Sequence, residues 1–318
     1  MLKRIVVSGA TGAIGIALIQ YSLERGMQVL AVCHKNSERI TRLPQADNLK
    51  IIELSTEEYA DFVKNDKELS VLGKYDVFFH LAWKGTTGIA RNDMNLQLEN
   101  IQYTLDAVEL AVALGCKCFV GAGSQAEYGR VEGIISSATP AFPENGYGIA
   151  KLCAGQMSRV RCEQLGIKHI WTRILSVYGP GDGEGSLVMS AIIGFLNHRQ
   201  TEFTEGMQKW DYLYSGDAAR VLMGLSEYGK TGNVYCVGSG QIKLLKDYIH
   251  DIYREINGLD VSDEQLGIGL RPYMDKQVMF LQADTTEWPS ELRREFKERP
   301  MCSFAKGINQ TINWINHL

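Results

Sequence analysis

The sequence lacks a basic block. Lys and Arg total 33 against 37 Asp and Glu, for a formal net charge of −4. Duplex recognition relies on a clustered Lys/Arg face, so no nucleic-acid partner is expected. Long apolar runs are missing too. The longest, such as Val77 to Trp83, are far too short to span a bilayer, and no membrane contact is expected. Met1-Leu2-Lys3-Arg4 leads straight into Ile5-Val6-Val7, without the pattern of a signal peptide. The expected location is therefore the cytoplasm, where the seven cysteines would be reduced thiols. None forms a C-x-x-C pair. Cys116 and Cys118, near the start of a predicted strand, would share one face. Two such cysteines and scattered histidines make a poor tetrahedral set, so no metal is expected.

What is present is an alternation. Strand-like runs fall at 4–8, 28–33, 50–54, 76–82, 117–121, 169–177 and 233–237. Helix-period segments lie between them, at 13–25 and at about 93–114, where Leu98, Ile101, Leu105, Val108 and Val112 recur at three or four residues. Strands alternating with helices predict an α/β fold with a doubly wound parallel sheet. After Val177 the rhythm changes: "YGPGDGEGS" at 178–186 is a loop, followed by a helix near 186–198. The aromatic "WDYLYSG" comes at 210–216, and a helical end from about 240. The expected division is a dinucleotide-binding part over 1–177, rejoined by a strand within 233–240. A smaller part over 178–232 and 241–318 would bind substrate.

The first strand runs into "SGATGAIG", residues 8–15, with Gly9, Gly12 and Gly15 at G-x-x-G-x-x-G spacing. Gly9 lets the chain turn sharply, Gly12 lets backbone approach a pyrophosphate, and Gly15 permits tight packing of helix on strand. Thr11, Ala13 and Ile14 complete the turn, and the helix N-terminus offers unpaired N–H groups to phosphate. NAD-binding versions usually carry an acid at the end of the second strand. Here that end reads Val32-Cys33-His34-Lys35-Asn36-Ser37-Glu38-Arg39, with no carboxylate at the tip. His34, Lys35 and Arg39 could instead meet a 2′-phosphate, so NADP is favoured over NAD; the alternative for these residues is a solvated loop.

"YGIAK" at 147–151 is the only Y-x-x-x-K among fourteen tyrosines. On a helix, Tyr147 and Lys151 share a face. A nearby ammonium favours the phenolate and brings a weak acid into working range. Ser124, in "GAGSQAEYG" at 121–129, is either a turn hydroxyl or the second hydroxyl that orients a reacting oxygen.

Taken together, the chain resembles the extended short-chain dehydrogenase/reductases of the nucleotide-sugar epimerase/dehydratase kind. The likeness runs through "SGATGAIG", "HLAW" at 80–83, Asn100, Ser124 with "EYG" at 127–129, "YGIAK", "RILSVYGPG" at 173–181, "WDYLYSGDAA" at 210–219 and "YCVGSG" at 235–240. It implies a Rossmann sheet and a Ser124/Tyr147/Lys151 triad. It also implies a nicotinamide dinucleotide, a nucleoside-diphosphate sugar and a homodimer. Leu81, Ala82 and Trp83 would line the dinucleotide cleft, and Asn100 would help place Lys151 through water. His80 reads as a satisfied core histidine and Arg173 as structural. Glu127 is a substrate ligand or a solvated turn acid. Among Trp210, Tyr212 and Tyr214, which alternate, one face could be core and another a substrate wall. Where the 4,6-dehydratases carry their elimination acids this chain has Gln125 and Ala126, which disfavours elimination. Trp210 stands where relatives commonly have an arginine for diphosphate, and Ser176 where they often have Asn. Diphosphate binding would then rest more on Arg271. The expected reaction is an NADPH-dependent 4-reduction of an NDP-4-keto-6-deoxyhexose, resembling the CDP-abequose/paratose synthases. Alternatives are an NAD-dependent 4-epimerase and a catalytically silent dinucleotide sensor.

Overall fold

The computed structural model describes residues 3–317. Its centre is a seven-stranded sheet in which every pairing is parallel. The chain begins β1 (Arg4–Ser8), α1 (Ala13–Leu23), β2 (Gln28–Cys33), β3 (Leu49–Glu53), α2 (Tyr59–Phe62), α3 (Asp66–Leu72) and β4 (Val77–His80). It continues with α4 (Met94–Ala113), β5 (Cys118–Ser124), α5 (Gly146–Gln164) and β6 (Lys168–Ile174). β7 (Ser176–Tyr178), α6 (Leu187–Leu196), β8 (Lys209–Trp210), β9 (Tyr212–Tyr214) and α7 (Ser215–Tyr228) lead to β10 (Asn233–Val237). The end is β11 (Lys243–Leu244), α8 (Leu245–Asn257), α9 (Ser290–Glu298) and α10 (Phe304–Ile315). The sheet order is β10-β6-β5-β4-β1-β2-β3, the doubly wound arrangement expected from the alternation.

The strands explain themselves. β1, β4 and β5 are near-continuous apolar runs buried along their length, as strands covered on both faces must be. One face packs a cluster with α1, α7 and α9, through residues such as Ile16, Ile19, Leu222 and Leu292. The other packs α3 and α4 through Leu72, Val108 and Leu110. Cys118 lies in the first cluster and Cys116 in the second, because β5 starts only at Cys118. The two thiols therefore do not share a face, contrary to the expectation. A third cluster, built on α6, α8 and α10, holds Ile192, Ile252 and Ile308 with Tyr212 and Tyr214 packed against it.

Two further readings change. The strand expected over 169–177 breaks at Leu175. Its first part stays in the sheet, and Ser176–Tyr178 turns off to pair with β9. α4 has the expected length, and of the expected apolar positions Val108 is buried, but the rest of its buried face is Gln97, Asn100, Thr104, Ala107, Leu110 and Ala111. Leu98 is 63% exposed. Toward its N-terminal end small and polar residues pack inward, where Gln97 and Asn100 bond the cleft loop, while Val108 and Leu110 pack on the sheet further along. No described helix is long and apolar enough to cross a membrane.

Candidate active site

In an open parallel sheet, ligands bind beyond the carboxyl ends of the strands, where neighbouring crossovers diverge. β1 and β4 are such a pair, and a cleft of about 290 Å³ opens there. Gly9, Gly12, Ala13, Ile14, Gly15, Leu81, Trp83, Ser124, Tyr147, Lys151 and Asp182 all line it. The predicted glycine turn and the predicted triad, over a hundred residues apart, thus meet in one cavity. A larger hollow, about 700 Å³, lies by Lys168 and His169 at the opposite end of β6, away from this constellation.

The glycine turn is built as the dinucleotide reading requires. Gly9 has φ +69°, and a Cβ there would stand 2.7 Å from the Leu81–Ala82 peptide. A Cβ at Gly15 would meet the Gly9 carbonyl oxygen at 2.4 Å. α1 starts with Gly12 at its N-cap and no side-chain cap, leaving its first N–H groups free for phosphate oxygens. These features fit a dinucleotide pyrophosphate.

At the tip of β2 the basic residues are partly committed. Lys35 is ion-paired with Glu58, whose other oxygen accepts the Ser55 N–H. His34 Nδ1 contacts the Lys35 carbonyl at 2.8 Å. Arg39 is exposed in the following 3-10 turn. No carboxylate is on β2 itself, but Glu53, at the end of β3, accepts the Asn36 N–H. A surface pair such as Lys35–Glu58 is worth little.

Ser124 ends β5 and caps the 3-10 turn Gln125–Glu127. Its Oγ accepts the Ala126 N–H at 3.2 Å, which leaves the hydroxyl proton free to donate. It is therefore a turn residue and a cleft hydroxyl at once. Tyr147 sits in the first turn of α5, which Asn145 caps by accepting the Gly148 N–H. Burial pushes the Tyr147 phenol up; the Ser124 hydroxyl and the Arg91 charge draw it back down, and Glu127 pushes it up.

Lys151, 3% exposed, donates to the Ala122 carbonyl at 2.5 Å and lies 3.8 Å above the Trp83 ring. Burial pulls its pKa down to about 7, with Glu127 acting the other way. Its ammonium therefore costs more to keep charged here than on the surface, and it faces Ala122 and Trp83 as well as the phenol. The charged group stacked on Tyr147 is Arg91, 4.4 Å from the ring centre. Trp83 lines the cleft as expected, with its indole edge-on to Tyr147, face to Lys151, and held by Nε1 donating to Gln97 at 2.9 Å. Ala82 contributes through the peptide that packs on Gly9.

Asn100 makes no direct bond to Lys151. Its side chain accepts the Lys84 N–H and donates to the Lys84 and Leu96 carbonyls, so it shapes the loop after β4. His80 is buried, bonded to Ser8 at 2.9 Å, and burial pulls its pKa to about 3, which keeps it neutral.

Glu127 is neither substrate ligand nor solvated turn acid. It is fully buried. It accepts the Ser124 N–H at 2.8 Å, the Trp171 indole N–H at 3.0 Å and Arg173 Nε at 2.7 Å. Burial raises its pKa and Arg173 opposes that most. Glu127, Trp171 and Arg173 form a strut under Ser124. Arg173 is structural, as expected; Trp171 went unnoticed. The alternating Gly121 and Gly123 were its signal, since a Cβ at either would stand 2.3 Å from the indole.

Trp210 and Ser176 come together: the indole donates to Ser176 Oγ at 2.8 Å. Tyr212 and Tyr214 belong to the third apolar cluster and are not a substrate wall. Gln125 is half-buried at the turn beside Ser124, and Arg271 is exposed, its N–H bonded to the Phe203 carbonyl.

Known proteins were then compared. A UDP-N-acetylglucosamine 4-epimerase from Methanobrevibacter ruminantium M1, solved with UDP-N-acetylmuramic acid, superposes with TM-score 0.81 at 21% identity over 99% of each chain. A UDP-glucose 4-epimerase from Thermotoga maritima, solved with UDP-glucose, gives 0.81 at 23% over 99% of each. A dTDP-glucose 4,6-dehydratase from Bacillus anthracis str. Ames, in complex with NAD, gives 0.78 at 17% over 99% of this chain and 97% of that one. These likenesses establish the shared fold. The profile of one family covers residues 5–238, which include the glycine turn, Ser124, Tyr147 and Lys151; the chain belongs to the NAD dependent epimerase/dehydratase family.

Proposed function

We propose that the chain is a nucleotide-sugar oxidoreductase acting at C4, an NADPH-dependent 4-reductase of an NDP-4-keto-6-deoxyhexose such as a CDP-sugar. The observation that carries this is one cleft holding the glycine turn, Ser124, Tyr147 and Lys151, with no acid at 125 or 126. When bound, the dinucleotide supplies the hydride. Ser124 Oγ–H donates to the C4 oxygen and Tyr147 delivers the proton. Lys151 and the backbone N–H groups at Gly12–Gly15 hold the dinucleotide. Ser176, Trp210, Gln125 and Arg271 are the candidates for the sugar and diphosphate, and the part over 178–232 and 241–318 forms that side of the cleft. The absence of an acid on β2, with His34, Lys35 and Arg39 at its tip, supports NADP.

A second reading, an NAD-dependent 4-epimerase, is favoured by the Lys35–Glu58 pair, which a 2′-phosphate would have to open and whose carboxylate would repel it. The solved epimerases of similar fold are in keeping with it. Thermal-shift titration with NAD, NADP and nucleoside diphosphates separates the two: a larger response to NADP supports the reductase, and a larger response to NAD supports the epimerase. Tyr147→Phe should abolish turnover and leave dinucleotide binding intact. Unchanged turnover would sink the triad assignment, and a wild-type chain that binds but never turns over would leave a sensor.

We also propose a homodimer through the outer sides of α4 and α5. Met94 and Leu98 on α4, and Ile149, Met157 and Val160 on α5, are all exposed. The two helices are joined by the Arg161–Glu109 pair, so these residues form neighbouring apolar stripes that a second copy would cover.

A further inference from the structure

The loop between β4 and α4 does more than wall the cleft. Thr86 lines the cavity, and Arg91 Nη1 donates to the Thr86 carbonyl at 3.0 Å. The next residue, Asn92, accepts the Gly146 N–H at 2.9 Å. Gly146 is the first residue of α5 and a Cβ there would press on the Arg91 carbonyl at 3.0 Å. The 3-10 turn Gly88–Asn92 is therefore latched onto the start of the helix that carries Tyr147. That latch sets the Arg91 guanidinium across the face of the Tyr147 ring, 4.4 Å from its centre, while Trp83 meets the same ring edge-on.

We propose that Arg91 is a further positioning residue of this site: its guanidinium, held on the Tyr147 ring by the 86–92 loop, supplies a fixed positive charge to the proton-transferring phenol. This rests on the reading of Tyr147 as the proton donor. The argument is one of charge and distance. A guanidinium stays charged at every working pH, and its attraction to a ring increases when the ring becomes a phenolate. The other groups facing Tyr147 do not duplicate it. Lys151, on α5 itself, is 5.8 Å from the ring centre and spends its ammonium on Ala122 and Trp83. Ser124, on β5, is neutral. Glu127, in the turn after β5, is paired with Arg173 and its charge opposes ionisation. His80, beside Lys151, is uncharged.

The test is a tyrosinate titration that needs no substrate. Ultraviolet difference titration of each form against its Tyr147→Phe counterpart isolates this phenol from the others. Arg91→Met should raise the Tyr147 pKa by about one unit, a tenfold fall in phenolate at a given pH. Arg91→Gln, which can still donate to the Thr86 carbonyl, should do the same and stands in if the methionine variant misfolds. Arg91→Lys should recover part of the shift. With NADP and a turnover assay, the pH profile of kcat/KM should move in the same direction while the dinucleotide Kd stays unchanged. An unmoved tyrosinate titration in the neutral variants overturns the proposal, as does a shift that Arg91→Lys leaves uncorrected. If Tyr147→Phe itself keeps full turnover, the proton-donor reading fails instead, and the two failures are distinct.

Discussion

Lys151→Met measures how far the fold holds an ammonium away from water. Lys151 is 3% exposed, and burial pulls its pKa from 10.5 to about 7. The unfolded chain restores the ordinary value. Between the two pKa values the folded protein binds fewer protons than the unfolded one, so stability rises with pH across that window. The stability is fully present above the unfolded pKa and is lost as pH falls through the folded pKa near 7. The displacement is 10.5 − 7, or 3.5 units. At about 1.4 kcal/mol per unit this is about 5 kcal/mol against folding at low pH. From about pH 6.5 to about pH 9 the wild type should gain about 2–3 kcal/mol that Lys151→Met, having nothing to titrate, does not gain. The methionine also loses the bond to Ala122 and the contact with the Trp83 face, an offset that does not change with pH. Guanidinium unfolding of both proteins without dinucleotide, at several pH values and by two probes, reads the slope directly. Parallel stability curves would refute the reasoning, because Lys151 would then carry an ordinary pKa in the fold. The variant should be inactive throughout, as the proposed role of Lys151 requires.

Two further outcomes follow from the same structure. Arg173→Met strands the fully buried Glu127 carboxylate and should cost about 3–5 kcal/mol. The cost should be larger at alkaline than at mildly acid pH, because a carboxyl with a raised folded pKa loses stability as pH rises through it. Glu127→Gln combined with Arg173→Met should be milder than Arg173→Met alone in urea unfolding, and simple additivity would remove the strut. Leu98→Glu with Ile149→Glu should turn the proposed dimer into a folded monomer in sedimentation experiments; a wild-type monomer, or a variant that stays dimeric, rejects that face.

The legible parts of the protein were those whose physics is local. Gly9, Gly12 and Gly15 act within one turn, and Tyr147 and Lys151 within one turn of helix, so spacing alone carried them. The strand alternation carried the sheet for the same reason. What escaped depends on register between distant strands. Gly121 pairs with Trp171 and Gly123 with Arg173 across β5 and β6, and only that register shows Glu127 to be a buried strut. Arg91 reaches Tyr147 because Asn92 is latched to Gly146, a contact across 54 positions. The apolar spacing of α4 marked a helix and placed Val108 in the core, but Leu98 faces outward. Close approach to α5 and to the cleft loop selects Ala107, Ala111 and Thr104 over the larger Leu98.

The side chains around Ser124 bear on the proposed reaction. An eliminating relative needs acids where this chain has Gln125 and Ala126, and the two positions differ. Gln125 is half-buried and could carry a carboxylate at little steric cost. Ala126 is 5% exposed. The Ala126 carbonyl lies against α5 so closely that a Cβ at Gly148 would approach its oxygen to 2.3 Å. A glutamate at 126 would have to enter a buried turn that Glu127 holds from below. Inserting bulk into such contacts costs about 1–3 kcal/mol before any charge is buried. The burial of Ala126 thus disfavours an acid at that position, in keeping with the proposed reduction.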